Sequence, residues 1–229
     1  GIMDVIFPLR LSLQVSVCAT AITLLVGIPV AYLLARKRFR GKNIVSLLLT
    51  LPMVLPPTVT GYLLLLLIGN NGVFGKAWSA LTGGDLGIMF TWYAAVIASF
   101  VVSFPLMLIT ARASMEDVDQ ELVNASYMLG RSELHTALRV VVPLSARGII
   151  GGATLAFARA MGEFGATIMV AGNWEGKTNT MPIAIYTQTL YGDMKAGLWM
   201  VLVFVAVAGA VMYISVHMGS KAVKTRSSG

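Results

Sequence analysis

An all-α fold is predicted here: a polytopic transmembrane helical bundle of about five spans, or six if a short late segment is counted. A two-helix element sits on one aqueous face. Three observations predict this. The 229 residues are 57% hydrophobic and only 12% charged, against roughly 25% charged in soluble domains, and the mean hydropathy is +0.80. Several apolar runs reach the ~20 helical residues that cross a bilayer core of about 30 Å. One long polar interruption, residues 116–143, separates those runs.

In chain order, the first span runs from about Leu11 to Ala35. It is longer than a signal-peptide core and no small-residue cleavage pattern follows, so it reads as retained. The second span, about Ile44 to Ile68, is interrupted by Pro52, Pro56 and Pro57, none of which can donate to a carbonyl four residues earlier. A Gly/Asn-rich connection leads to a third span near Ile88–Ala111. The polar stretch follows, then a fourth span from about Val141 to about Val170 and another polar loop. Met181–Leu190 fits a partial helix dipping into the membrane, the sixth segment. The last span, about Leu198–His217, precedes a basic tail. With no internal repeat visible, residues 1–229 read as one transmembrane domain.

Cationic residues orient the bundle. One face collects Arg36, Lys37, Arg38, Arg40, Lys42, Arg112, Arg131, Arg139, Arg147, Lys221, Lys224 and Arg226, whereas the other keeps only Arg10, Lys76, Lys177 and Lys195. The richer face is expected in the cytoplasm, with the N-terminus outside and the C-terminus inside. The net charge of +7 therefore reports orientation, and no nucleic-acid partner is expected; membrane lipid is the surrounding medium.

Other chemistries find little support. Cys18 is the single cysteine, so no intrachain disulfide forms. His135 and His217 lack companions at metal-ligand spacing, so no metal site is expected. No glycine-rich loop with G-K-[ST] occurs, so the chain is not expected to hydrolyse ATP. No catalytic constellation is visible, and the 13 methionines read as core fillers.

The polar stretch reads as two short helices hinged at Gly130. Val118, Leu122, Ala125 and Leu129 recur at helical spacing, and Leu134, Leu138 and Val141 repeat the pattern beyond the glycine. Amphipathicity alone fits a surface loop resting on the bilayer as well as a docking element. The spacing says more. N-A-S-Y-M-L-G, nine residues, then V-V-V-P resembles the motif of ABC importer permeases: Glu-Ala-Ala, three residues, Gly, nine residues, Ile-x-Leu-Pro. Asn124 falls on the Glu, Ala125 and Ser126 on the alanines, Gly130 on the glycine, Val140 on the isoleucine, and Val142 and Pro143 on Leu-Pro. Asn124 carries no charge, so an ion pair made by the family's Glu is not available here. A-F-A-R-A-M-G-E-F-G-A-T (156–167), L-P-M-V-L-P-P-T-V-T-G-Y (51–62), S-F-P-L-M (103–107) and the later T-M-P-I-A-I-Y are similar to the molybdate/sulfate group of that family, and most like its molybdate permeases.

The resemblance implies a prokaryotic cell (inner) membrane permease subunit for oxyanions, molybdate first and tungstate next. It pairs with a second copy of itself, with two cytoplasmic ABC ATPase subunits that hold ATP and Mg, and with an extracellular or periplasmic binding protein. The chain itself would be no enzyme and carry no cofactor. Asn124, Ala125, Ser126, Gly130, Arg131, Glu133 and Pro143 are the expected ATPase-docking residues, with His135 and Arg139 as further polar contacts. A sulfate-type permease, or a secondary anion transporter working without an ATPase, is the alternative.

Within the membrane, Arg159 and Glu163 are four apart on the fourth span. Buried ionisable residues face a cavity, the bundle interior or each other, so they either line the path or brace the helices. The second span's prolines permit a half-helix restarting near Thr58, whose free amides would favour an oxyanion; a plain packing kink is the other reading. Pro56, Pro57, Thr58, Thr60, Arg159, Glu163 and Thr167 form the expected pathway set.

Overall fold

The computed structural model describes residues 3–224, and every regular element in them is helical. Helix α1 covers Met3–Arg36, and α2 covers Lys42–Thr50 and runs into a 3₁₀ turn at Leu51–Met53. Then come α3 (Pro57–Ile68), α4 (Val73–Thr82) and α5 (Trp92–Glu116). The polar element supplies α6 (Gln120–Met128) and α7 (Glu133–Thr136), a π turn over Ala137–Val141, and the single turn α8 (Val142–Leu144). α9 (Ala146–Met161), α10 (Gly165–Ala171), α11 (Met181–Leu190) and α12 (Met194–Lys224) complete the order.

α5 is the core of the bundle. Its most apolar stretch is 67% buried, against 28% for α1 and 11% for α12. α1 packs on one side of it and α9 on another, and buried Ala31, Leu34, Met107, Leu108, Ala111, Met115, Ile149 and Ala156 form one cluster between the three. Small residues let α9 come close. A Cβ at Gly148 would overlap the Ser114 side chain, and one at Gly152 would lie 3.0 Å from Met107 Cα.

Four helical segments are long and apolar enough to cross a membrane: Val5–Arg36, Pro57–Thr82, Trp92–Glu116 and Met194–Ser215. The pair Glu133–Leu144 and Ala146–Met161, bent by 72°, makes a fifth when the two are taken as one broken span. The expectation of about five spans holds, and the partial helix expected at Met181–Leu190 is α11 with the same bounds. The basic-tail residue Arg226 lies outside the described residues.

Three boundaries differ from expectation. The second apolar run is not one kinked span: α2 has no buried residue, and the long helical segment instead begins at Pro57 and continues through α4. The Gly/Asn-rich connection expected after Ile68 is therefore largely helical. Its glycines are used for compactness, since a Cβ at Gly72 would meet Leu66, Leu67 and Gly69 carbonyls within 2.9 Å. The fourth run is also divided, by the bend near Ser145 and by a break at Gly162–Phe164. Ser145 pins the first bend to α5, its buried hydroxyl donating to the Ser114 carbonyl at 3.1 Å.

Candidate functional site

The polar element is built as a closed helical hairpin. Asp119 caps α6 by accepting from the Glu121 amide at 2.9 Å, which satisfies one of the free N–H groups at a helix start. At the other end Gly130 sits at φ +73°. Its amide donates to the Tyr127 carbonyl at 2.9 Å and that of Arg131 to the Ser126 carbonyl at 3.2 Å, the paired bonds of a Schellman turn that needs a residue free to adopt left-handed backbone. Ser132 then caps α7 by accepting from the His135 amide at 3.3 Å. Between the two helices, the buried Ser126 and Thr136 hydroxyls bond at 2.8 Å. Thr136 was not singled out from sequence; a small hydroxyl residue ten positions after Ser126 is too weak a signal on its own.

Charged groups tether the hairpin to the C-terminal end of α1. Arg36 donates to Gln120 Oε1 at 3.0 Å and to the Val118 carbonyl, and Lys37 Nζ lies 2.6 Å from Glu133 Oε1. Gln120 in turn donates to Asn124 Oδ1 at 3.1 Å. Asn124, where the motif has an acid, thus joins a neutral relay from Arg36.

The leucines face outward, against a simple amphipathic reading. Val118, Val123, Ser126, Thr136 and Val141 are buried, and three of them (Val123, Ser126 and Thr136) lie outside the predicted apolar pattern, which leaves a separate leucine stripe. That stripe is exposed: Leu122 is 49%, Leu129 79%, Leu134 69% and Leu138 56% accessible, with Met128 at 88%. Ala125, Gly130, Arg131 and Glu133 share this open surface, whereas Pro143 is half-buried. Five large apolar side chains thus stand exposed together on a polar element, an apolar patch of the kind that marks interaction surfaces.

Deeper in the bundle, α3 and α10 bring the second group of residues together. Pro57 opens α3, and Pro56 precedes it with an extended ψ of 137° and accepts from the Thr60 amide at 3.1 Å. Prolines suit this first turn because its N–H groups have no partners within the helix. The first turn of α10 lies against it: a Cβ on Gly165 would stand 3.0 Å from Pro57 Cβ and 3.2 Å from the Thr58 amide nitrogen. One turn further, a Cβ on Gly61 would meet Ala166 Cα at 2.9 Å. Thr60 and Thr167 are buried and Thr58 is exposed. Gly61→Leu is therefore expected to separate α3 from α10 and to lower the unfolding midpoint in detergent by several degrees, an overpacking cost of ~1–3 kcal/mol; a midpoint equal to the parent's would show that the two helices are not locked.

Glu163 closes this region, though not in the way its spacing predicts. α9 ends at Met161, so Arg159 and Glu163 are not on one continuous helix. The chain turns at Gly162, and the Glu163 side chain folds back instead. Its Oε2 lies 2.7 Å from Arg159 Nη1, while Oε1 accepts from the Ala166 amide at 2.8 Å. Glu163 is 3% exposed, and its partner reaches a more open position, 31% exposed. One buried carboxylate thereby joins the end of α9 to the start of α10.

A broken-helix core carrying a polar helical hairpin at one end is the architecture of a binding-protein-dependent permease. The chain belongs to the family described as binding-protein-dependent transport system inner membrane component, whose model matches residues 27–225; it is a multi-pass inner-membrane protein. Among its relatives are the molybdenum transport system permease protein ModB of Haemophilus influenzae, 43% identical over 80% of this chain and 79% of that one, and that of Escherichia coli K12, 44% identical over 81% of each. The fold is shared with permeases of solved importers: a bacterial ABC transporter of the acidic polysaccharide alginate (15% identity, TM-score 0.70, covering 93% of this chain and 79% of that one) and the MetNI methionine ABC transporter (14% identity, TM-score 0.69, covering 98% and 96%).

Proposed function

We propose that this chain is the permease subunit of an ATP-driven importer of molybdate, with tungstate as a near-equivalent cargo. Two copies form the path, two cytoplasmic ATPase subunits holding ATP and Mg dock on the hairpins, and an external binding protein delivers the anion. The reading rests on one observation above all. The relatives whose names specify molybdenum transport match four-fifths of the chain at 43–44% identity, and the hairpin motif falls inside the matched family region. The exposed leucine stripe supports docking, since covering each such side chain contributes about 1.5–3 kcal/mol. The excess of cations around the hairpin supports an N-terminus outside and a C-terminus in the cytoplasm.

The geometry supports a coupled mechanism. Closure of the ATPase dimer around ATP draws the two hairpins together, and the tethers from Arg36 and Lys37 pass that motion to α1 and its neighbours. The path opens outward, takes the anion, and returns inward after hydrolysis. Each state must be favoured by its own contacts, and the hairpin is where the ATPase can make them. Pro56, Pro57, Thr58, Thr60, Arg159, Glu163 and Thr167 surround the place where α3 and α10 begin. The free amides of the first turn of α3 and its positive dipole end suit a dianion, with the exposed Thr58 hydroxyl as a further donor.

Competition tests the cargo. In proteoliposomes holding permease, ATPase and binding protein, unlabelled tungstate should suppress labelled molybdate uptake as well as unlabelled molybdate does, and sulfate at the same concentration should not. Equal suppression by sulfate would refute the molybdate assignment and leave the sulfate-type reading.

A further inference from the structure

We propose that the cavity at the N-terminal end of α1 binds a tetrahedral oxyanion group, supplied either by the headgroup of an anionic phospholipid or by a free anion. The cavity measures about 470 Å³. It lies at the end of the bundle away from the hairpin: Arg10 on its wall and Arg36 on the hairpin tether are on one helix, about 39 Å apart at 1.5 Å per residue. That separation places the cavity near the opposite membrane interface.

Its chemistry is specific. Phe7, Arg10 and Gln14 recur on one face of α1 and line it together with Lys177 from the loop across. Among the described residues neither the Arg10 nor the Lys177 side chain has an ion-pair or hydrogen-bond partner. Glu175, the acid nearest in sequence to Lys177, lines an adjoining cavity of about 250 Å³ that shares Phe7 and Gly176, and it pairs with neither cation. Two unpaired cations and an amide thus share one concave site. A cation inside a spanning helix is costly unless it meets a counter-charge or reaches the interface, and a tetrahedral anion offers Arg and Lys charge-assisted hydrogen bonds together.

The remaining walls are aromatic. Phe7 and Trp92 contribute apolar surface, the kind of ring that meets lipid headgroups at a membrane interface. Phe90 is held with a positive φ of 59°, a strained backbone for a bulky residue, while its amide donates to the Val170 carbonyl at 3.0 Å. The cavity wall is therefore anchored to the end of α10. The inference does not depend on which anion is carried through the membrane.

The test compares the intact permease with the double variant Arg10→Gln, Lys177→Gln. Native mass spectrometry measures retention of phosphatidylglycerol against diacylglycerol of the same acyl chains, and equilibrium dialysis measures binding of labelled molybdate. Preference for phosphatidylglycerol that falls about tenfold in the variant, the scale of one charge-assisted hydrogen bond, assigns the site to a lipid headgroup. Molybdate binding that falls similarly, with lipid preference unchanged, assigns it to a free anion. The charge-conserving variant Arg10→Lys, Lys177→Arg should keep binding in either case. A Gln variant matching the parent with both ligands, or a charge-conserving variant losing binding as fully, would overturn the proposal.

Discussion

Ala125→Trp should leave the permease inserted and folded yet cut ATP-driven uptake about tenfold or more, a loss of at least ~1.4 kcal/mol in productive docking. Ala125 is exposed on α6, so an indole there disturbs no core contact and instead stands in the surface formed by Leu122, Leu129 and Leu134. Gly130→Val attacks the same element from within. Nothing lies within 4 Å of a Cβ at Gly130, so no clash occurs, but its φ of +73° costs an L residue about 1–2 kcal/mol, and a β-branched one tolerates it least. The Schellman turn should loosen and the angle between α6 and α7 become ill-defined. Gly130→Asn, which accepts left-handed backbone more readily, should retain more transport than the valine variant. ATPase co-purification and uptake measured together decide the matter: both unchanged in the Trp and Val variants would mean that docking does not use this hairpin.

The second large effect is expected at the carboxylate that joins α9 to α10. Arg159→Met leaves Glu163 buried without its cation, a change that costs about 3–5 kcal/mol when one partner of a buried pair is removed. Glu163→Gln is milder, because an amide oxygen can still accept from Ala166. Removing both charges together should restore most of the stability. Transport then distinguishes the two roles the pair could serve. The double variant Arg159→Met, Glu163→Gln is expected to unfold near the parent temperature and still import poorly, as the pathway assignment requires. Parental uptake in a stable double variant would make the pair a brace between helices and remove it from the path.

Much of this architecture was legible in the residues. The hairpin declared itself through Gly130 and its distance to Pro143, because a left-handed turn and an imino residue are backbone requirements that few side chains can meet. α11 began where expected because Pro182 suits a first helical turn. What stayed hidden depended on partners. Helical spacing shows that Leu122, Leu129, Leu134 and Leu138 share a side, but it cannot say whether that side meets the chain's own core or another protein. The same ambiguity concealed the Ser126–Thr136 bond. Gly72 and Gly75 made residues around α4 look like a loop, although they permit close backbone approach within a helical turn. Spacing places Glu163 with Arg159 on one continuous helix, but that helix ends two residues earlier, at Met161, and the chain breaks at Gly162.

Labelled molybdate uptake into proteoliposomes, with the permease present and the ATPase either included or left out, tests the coupling most directly. The docking account predicts accumulation only when ATPase, ATP and binding protein are all present, and none in an ion gradient alone. Accumulation by the permease without any ATPase, driven by an imposed ion gradient, would contradict it.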